Sequence, residues 1–257
     1  MHREHESLQV SESRWSEAQQ FERGCWAESN RRNGLLKLGK RLLVAATRPR
    51  QLARIAEYGD WYCGDDWNYW WLDAFDGYRA LPRRVERALE VGSGPYSNIR
   101  LIRHRISVGE ITCADPLMDE YLGYRYTWVA TQAKRGAIRT VTCPGEALPF
   151  AAGAFDLVAC VNVLDHVRDL PRCLEEMHRV LSPGGYFVLG QELTNAQDFA
   201  LDEVRGDVGH PIKLEHDTLD RLLAGRYEPV LQQRLERERG RNASAHYGTY
   251  LFIGRKT

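Results

Sequence analysis

The chain has 257 residues, 43 % of them hydrophobic and 27 % charged, a mix that fits an ordinary folded protein able to bury a full core. Lys+Arg and Asp+Glu both number 35, so no global field draws the chain toward nucleic acid. No apolar run approaches the roughly 20 residues needed to span a bilayer, and the charged start Met1-His2-Arg3-Glu4 is unlike a secretory signal, so a cytoplasmic setting is expected. The six cysteines are scattered with no C-x-x-C pair, which predicts neither a disulfide framework nor a metal site.

Along the chain, the first eighty residues read as a helical cap (1–80), with helical patterns near Val10–Asn30, Gly34–Ala46, Gln51–Tyr58 and Trp67–Tyr78. Between Arg31 and Arg54 lie eight basic residues and no acidic one. Leu35, Leu36, Leu38, Leu42 and Leu43 share one helical face there, opposite Lys37, Lys40 and Arg41. That is the pattern of a surface helix facing a core, or of a segment touching an anionic acceptor or a membrane surface peripherally. Nine aromatics from Tyr58 to Tyr78 interleave with five aspartates. They suit either rings packed on the next domain or a sugar-binding wall.

From residue 81 to the end, strands and helices alternate. Strands are expected at Val85–Val91, Glu110–Ala114, Ile138–Thr142, Phe155–Val161 and Tyr186–Gln191, with helices at Ser97–Arg105 and Pro171–Leu181. Such alternation predicts a doubly wound α/β domain with a mostly parallel sheet. Glu228–Leu235 and Tyr247–Ile253 read as a C-terminal antiparallel pair.

The first strand ends in Leu89-Glu90-Val91-Gly92-Ser93-Gly94-Pro95. Glycines at the carboxyl end of such a strand let the backbone turn tightly under a ligand. A dinucleotide pattern wants a third glycine at position 97, where this chain has Ser97. Glu90 beside the turn disfavours a pyrophosphate and can accept from an ammonium group. Asp115, closing the next strand, is placed to accept both ribose hydroxyls; before Pro116 it can equally be a turn initiator. Downstream come Gly145-Glu146-Ala147-Leu148-Pro149-Phe150 and Leu181-Ser182-Pro183-Gly184-Gly185.

Together these segments resemble class I S-adenosylmethionine-dependent methyltransferases of the small-molecule type, over about Val85 to Glu192. The resemblance implies a seven-stranded sheet and S-adenosylmethionine as cofactor. It assigns Glu90 to the methionine end, Gly92, Ser93 and Gly94 to the turn, and Asp115 with Pro116 to the ribose. Glu146 and Ala147 would border the adenine, with Asn162 also on the cofactor. Two positions depart from the family: Tyr96 stands for the third glycine, and Pro144 for the acidic residue at the adenine amine. Trp15 to Gln20 with Trp26, Asp115 to Tyr121, and Asn162 to Val167 are similar to methyltransferase-like proteins of bacterial surface-polysaccharide pathways, which suggests a glycan or small-molecule acceptor.

Methyl transfer needs alignment and, for a hydroxyl acceptor, a base. His166 and His210 are the candidates, with Asp165 and Glu192 behind them. A histidine at position 166 can also simply pack a helix start. The leading expectation is an O-methyltransferase; an N-methyltransferase of an amino sugar or natural product, or a catalytically silent S-adenosylmethionine-binding protein, are the alternatives.

Overall fold

The computed structural model describes residues 8–47, 68–125, 127–241 and 247–257, the stretch 32–47 by its backbone alone. The expected helix at Gln51–Tyr58, the aromatics Tyr58, Trp61, Tyr62 and Trp67, and most side chains of the basic 31–54 segment lie outside the described residues.

One sheet of seven strands has the order β3-β2-β1-β4-β5-β7-β6. The strands are β1 Arg84–Val91, β2 Ser107–Asp115, β3 Arg139–Thr142, β4 Phe155–Val161, β5 Leu181–Thr194, β6 Tyr227–Leu235 and β7 Tyr247–Lys256. The first five pair in parallel, and β7 runs antiparallel between β5 and β6. This is the doubly wound sheet with an antiparallel C-terminal pair that the alternation predicts. The chain steps outward from β1 to β2 and β3, then returns to place β4 on the other side of β1. A ligand crevice forms at the carboxyl ends of the two strands flanking such a reversal.

Two apolar clusters cover the two faces. On one, Leu89, Val158 and Leu189 meet α6 (Leu170–Val180) through Leu174 and Met177, and α7 (His216–Leu223) through Leu219. Asp169 caps α6 by accepting from the Arg172 N–H, and Pro171 stands in the first turn where no amide partner is needed. On the other face, Trp71, Phe75 and Tyr78, carried by α2 (Asn68–Ala74) and the 3-10 turn after it, pack with α3 (Ile99–Ile102) against Ala88, Leu157 and Val188. Phe75 and Tyr78 are fully buried and Trp71 nearly so. The described aromatics of that cluster are therefore mainly core, and of them only Trp71 also reaches the crevice.

Three expectations change. The helices expected at Val10–Asn30 and Gly34–Ala46 are one continuous helix, α1 Glu12–Thr47, running through Gly34. A mid-helix glycine costs only about 1 kcal/mol, so it need not break a helix. The helix expected at Ser97–Arg105 shrinks to α3, because Ser97 takes a left-handed backbone (φ 52°) that no α-helix accommodates. Two short helices, α4 Met118–Gly123 and α5 Trp128–Lys134, fill the β2–β3 crossover, each too brief to leave a periodic pattern.

No helix among the described residues is long and apolar enough to cross a membrane.

Candidate active site

At the β1 and β4 carboxyl ends a cleft holds about 730 Å³ of space, its open mouth included, lined by Gly92, Ser93, Gly94, Asp115, Asn162 and His166 among others. Gly92 and Gly94 both have positive φ, 67° and 54°. A Cβ on Gly92 would lie 2.4 Å from Val163 Cγ2, so this position must stay bare for the turn to pack against β4. A Cβ on Gly94 would meet only Trp26, at 3.9 Å, which leaves its backbone open to the cleft.

Asp115 anchors the turn. Its Oδ2 accepts from the Gly94 N–H at 2.9 Å and its Oδ1 from the Leu117 N–H at 2.9 Å. Each oxygen keeps lone-pair capacity toward the cleft. Burial raises its carboxyl to about 6, against the pull of the two N–H groups.

Glu90 and Glu146 are both bonded into the scaffold. Glu90 is fully buried and spent on the chain itself: it accepts from the Ser97 hydroxyl, the Asn98 amide and side chain, and the Ile99 N–H. The carboxylate thus holds the start of α3 and does not line the cleft in this structure. Glu146 Oε1 accepts from the N–H groups of Arg168 (2.7 Å) and Asp169 (3.0 Å), fixing the entry to α6, and it too stands away from the cleft wall. Ala147 is exposed outside the cleft, and Pro116 carries the chain away from Asp115 without lining it.

Asn162 keeps a left-handed backbone (φ 59°), held because its N–H donates to the Gly190 carbonyl at 2.6 Å and its Oδ1 accepts from Glu192 N–H at 3.2 Å. Those bonds tie the end of β4 to the end of β5. Gly190 there is bare for a reason: a Cβ would lie 2.6 Å from the Trp71 ring, which lies against β5 and borders the cleft.

Beside His166 and Arg241, at the edge of the cleft, side chains gather in a polar chamber. The His166 and His210 ring centroids are 4.6 Å apart. His166 Nδ1 is 2.9 Å from the Gly209 carbonyl oxygen, so that nitrogen carries the proton and Nε2 keeps its lone pair, 3.6 Å from Asp165 Oδ1. His210 Nδ1 bonds Asp207 Oδ2 at 2.6 Å. Burial opposes charge on His210, yet that bond and the nearby Asp165 and Asp207 carboxylates outweigh it and raise the ring to about 9. That pairing with Asp207 favours the charged ring, which would have to lose a proton before His210 could act as a base. Glu192, its carboxyl raised by burial, pairs with Arg241 at 3.6 Å, and the Arg241 guanidinium lies over the Trp71 ring at 5.5 Å.

Helix α1 crosses this cleft. Trp15 Nε1 donates to the His166 carbonyl at 3.1 Å, and Arg14 donates to the carbonyls of Asp207 and Val208, both at 2.8 Å. Further along, Glu22 and Trp26 line the cleft, with Trp26 beside Tyr96 and Tyr121. Tyr96, standing where the family has glycine, is thereby one of the rings at the mouth. Sequence reasoning missed Glu22 and Arg241 as cleft residues. Neither sits in a motif, since one comes from a helix face and the other from the loop before β7.

Residues 89–189 match the family model described as a methyltransferase domain. Over that stretch the chain carries a methyltransferase domain, on the sheet order and glycine turn described above.

The human mitochondrial arginine-hydroxylase NDUFAF5 is 32 % identical over 108 residues, 42 % of this chain and 29 % of that protein. The rat protein matches over 26 % of its length, so this chain spans about three tenths or less of these relatives. The methyltransferase domain also superposes on the crystal structure of MccD protein, with a TM-score of 0.58 and 12 % identity, covering 72 % of this chain and 96 % of that one. The 1,6-didemethyltoxoflavin-N1-methyltransferase of Burkholderia thailandensis, solved with S-adenosylhomocysteine bound, gives a TM-score of 0.50 and 20 % identity over 68 % of this chain and 72 % of that one.

Proposed function

We propose that the protein binds S-adenosylmethionine in the cleft and transfers its methyl group to a hydroxyl of a carbohydrate or related small molecule. One observation carries the reading: a single cleft is lined both by the glycine turn with Asp115 and by His166. When bound, the cofactor supplies an electrophilic methyl on a sulfonium centre. The residues present suit it. Gly94 leaves its backbone open, Asp115 keeps lone pairs for ribose hydroxyls, and the carboxylates of Glu22 and Asp115 favour a cation over a pyrophosphate. The rings of Trp26, Tyr96 and Tyr121 and the helix carrying Trp26 shield the mouth from water.

A sugar hydroxyl is a weak acid, so its attack gains from removal of the proton as the bond forms. His166 presents the Nε2 lone pair at the cleft wall, fixed by the Gly209 carbonyl behind it. Around it, Asp165, Glu192 and the charged His210 and Arg241 form a chamber able to hydrogen-bond a polyhydroxyl acceptor through both donors and acceptors.

Calorimetry with S-adenosylhomocysteine should give one ligand per chain. A methyl-transfer screen over nucleotide sugars, free sugars and lipid-linked glycans should give a methyl ether product. Tight NADH binding with no response to S-adenosylhomocysteine overturns the cofactor assignment, and methylation confined to amines overturns the hydroxyl acceptor.

A further inference from the structure

The polar chamber contains the donor set of a transition-metal site. Asp165, His166 and His210 each offer one ligand atom, and these atoms all lie within 4.8 Å of one another. Both rings are already oriented from behind. The Gly209 carbonyl holds Nδ1 of His166, and Asp207 Oδ2 holds Nδ1 of His210. A carbonyl or carboxylate on one ring nitrogen sets the tautomer and leaves the other as ligand, the arrangement that stands behind most metal-bound imidazoles; His210, charged in the metal-free chain, would release its Nε2 proton as the ion binds.

The carboxylate is independently in need of a partner. Asp165 is only 7 % exposed, and its Oδ1 accepts no hydrogen bond. A buried carboxylate oxygen left so is costly unless something positive meets it. Glu192 Oε1 likewise accepts no hydrogen bond and has Arg241 at 3.6 Å, whereas Asp207 Oδ2 holds both His210 Nδ1 and Lys213 Nζ. Asp165 has His166 Nε2 at 3.6 Å and lies within the field of His210 and Arg241.

We propose that Asp165, His166 and His210 bind one divalent first-row transition ion, such as Zn(II) or Fe(II), beside the cofactor cleft. Two imidazoles and one carboxylate favour these ions over Mg(II) or Ca(II), which prefer oxygen shells. Three protein ligands leave a coordination position open for a further oxygen. Because His166 also lines the cleft, the ion would sit at the cleft's edge. The site stands on side-chain geometry alone, whereas its task rests on the methyltransferase reading: the ion would hold the acceptor hydroxyl and raise its acidity. His166 is needed on either account, as proton acceptor without the ion or as ligand with it.

The test uses the full chain, stripped with chelator and titrated with Co(II), whose visible absorption reports nitrogen and oxygen ligation. One saturable Co(II) per chain is expected, displaced by Zn(II). His210→Ala and Asp165→Ala should each abolish the spectrum. Asp207→Asn, which touches only the back of a ligand, should weaken binding about 10- to 100-fold. His178→Ala, far from the chamber, should change nothing. S-adenosylhomocysteine binding by each variant checks that the domain is folded. No saturable spectrum, or an undiminished one in folded His210→Ala, overturns the proposal while leaving the cofactor reading intact. A Co(II) spectrum in wild-type protein that fails to bind S-adenosylhomocysteine supports the metal site and overturns the methyltransferase reading instead.

Discussion

On the β1–β2 side of the cleft, the groups facing a ligand come mainly from the stretch between Gly92 and Asp115, and they act through backbone shape. On the β4–β5 side, His166, Glu192, His210 and Arg241 arrive from separate segments and act through side-chain chemistry. The first side shows itself in any chain whose strand ends in spaced glycines, because glycine enters the left-handed turn without the strain a side chain brings. The second side exists only once distant loops have been brought together. The cofactor half is thus local and generic, and the acceptor half non-local and particular to this chain. Variants should sort along the same line, some affecting turnover without touching cofactor affinity, others the reverse.

The largest effect should come from the acceptor half. His166→Gln keeps a polar group of similar size but removes the imidazole lone pair. It should reduce methyl transfer about 10²–10⁴-fold, with S-adenosylhomocysteine affinity unchanged by calorimetry. Loss of both together would mean that the two halves are not separable and that His166 holds the cleft's shape.

Next comes the cofactor half. Asp115→Ala should weaken S-adenosylhomocysteine about 10- to 100-fold, since hydrogen bonds to a charged group contribute roughly 1.5–3 kcal/mol. The same residue predicts a pH dependence. Ribose hydroxyls donate to the ionised carboxylate, which in the free protein is protonated below about 6. Affinity should therefore fall as the pH drops through that value, by about tenfold per unit, and Asp115→Asn should flatten the profile. Fold stability has the opposite sign. A carboxyl raised from 3.8 to about 6 favours the folded state below 3.8, and that contribution is lost as the pH rises through about 6.

Gly92→Ala separates packing from binding. A methyl group there enters the Val163 side chain and imposes a left-handed backbone on alanine. The cost should be about 1–3 kcal/mol of stability, seen as a lower thermal midpoint. Gly94→Ala has free space before Trp26 and should lose less stability, because only its backbone conformation is strained.

How much of this was legible follows the same division. The strand at Phe155–Val161 is observed with the bounds its apolar run predicts, and the antiparallel pair near the C terminus lies where alternation put it. Asp115 was placed by its position at a strand end, and the structure seats it under the glycine turn. The pairing of Asp207 with His210, and of Glu192 with Arg241, could not be read. Asp207 and His210 share a loop whose turn has no sequence period, and Arg241 reaches Glu192 only after β6 and β7 have paired back onto β5. Glu90 misled for another reason. An acid beside a glycine turn is equally good as a ligand group or as an acceptor for a helix start, and only the backbone of Asn98 and Ile99 decides between them.

Glu146 offers the smallest effect on binding and the sharpest boundary for the comparison. Position in sequence puts it with the cofactor half, near where the family borders the adenine, whereas its hydrogen bonds put it with the scaffold. Both Arg168 and Asp169 direct their N–H groups at its Oε1, just before α6 begins. Glu146→Ala leaves those two donors without their partner, which should cost about 1–3 kcal/mol of stability. S-adenosylhomocysteine affinity should move by no more than about twofold, a change of under 0.5 kcal/mol. Measured side by side with Asp115→Ala, which also leaves two N–H groups without their partner, the two variants should part in binding rather than stability: only Asp115→Ala should bind poorly when folded. A tenfold loss of affinity in Glu146→Ala, at a temperature where the variant is fully folded, would move this carboxylate into the cofactor site and shift the cleft's wall toward β3.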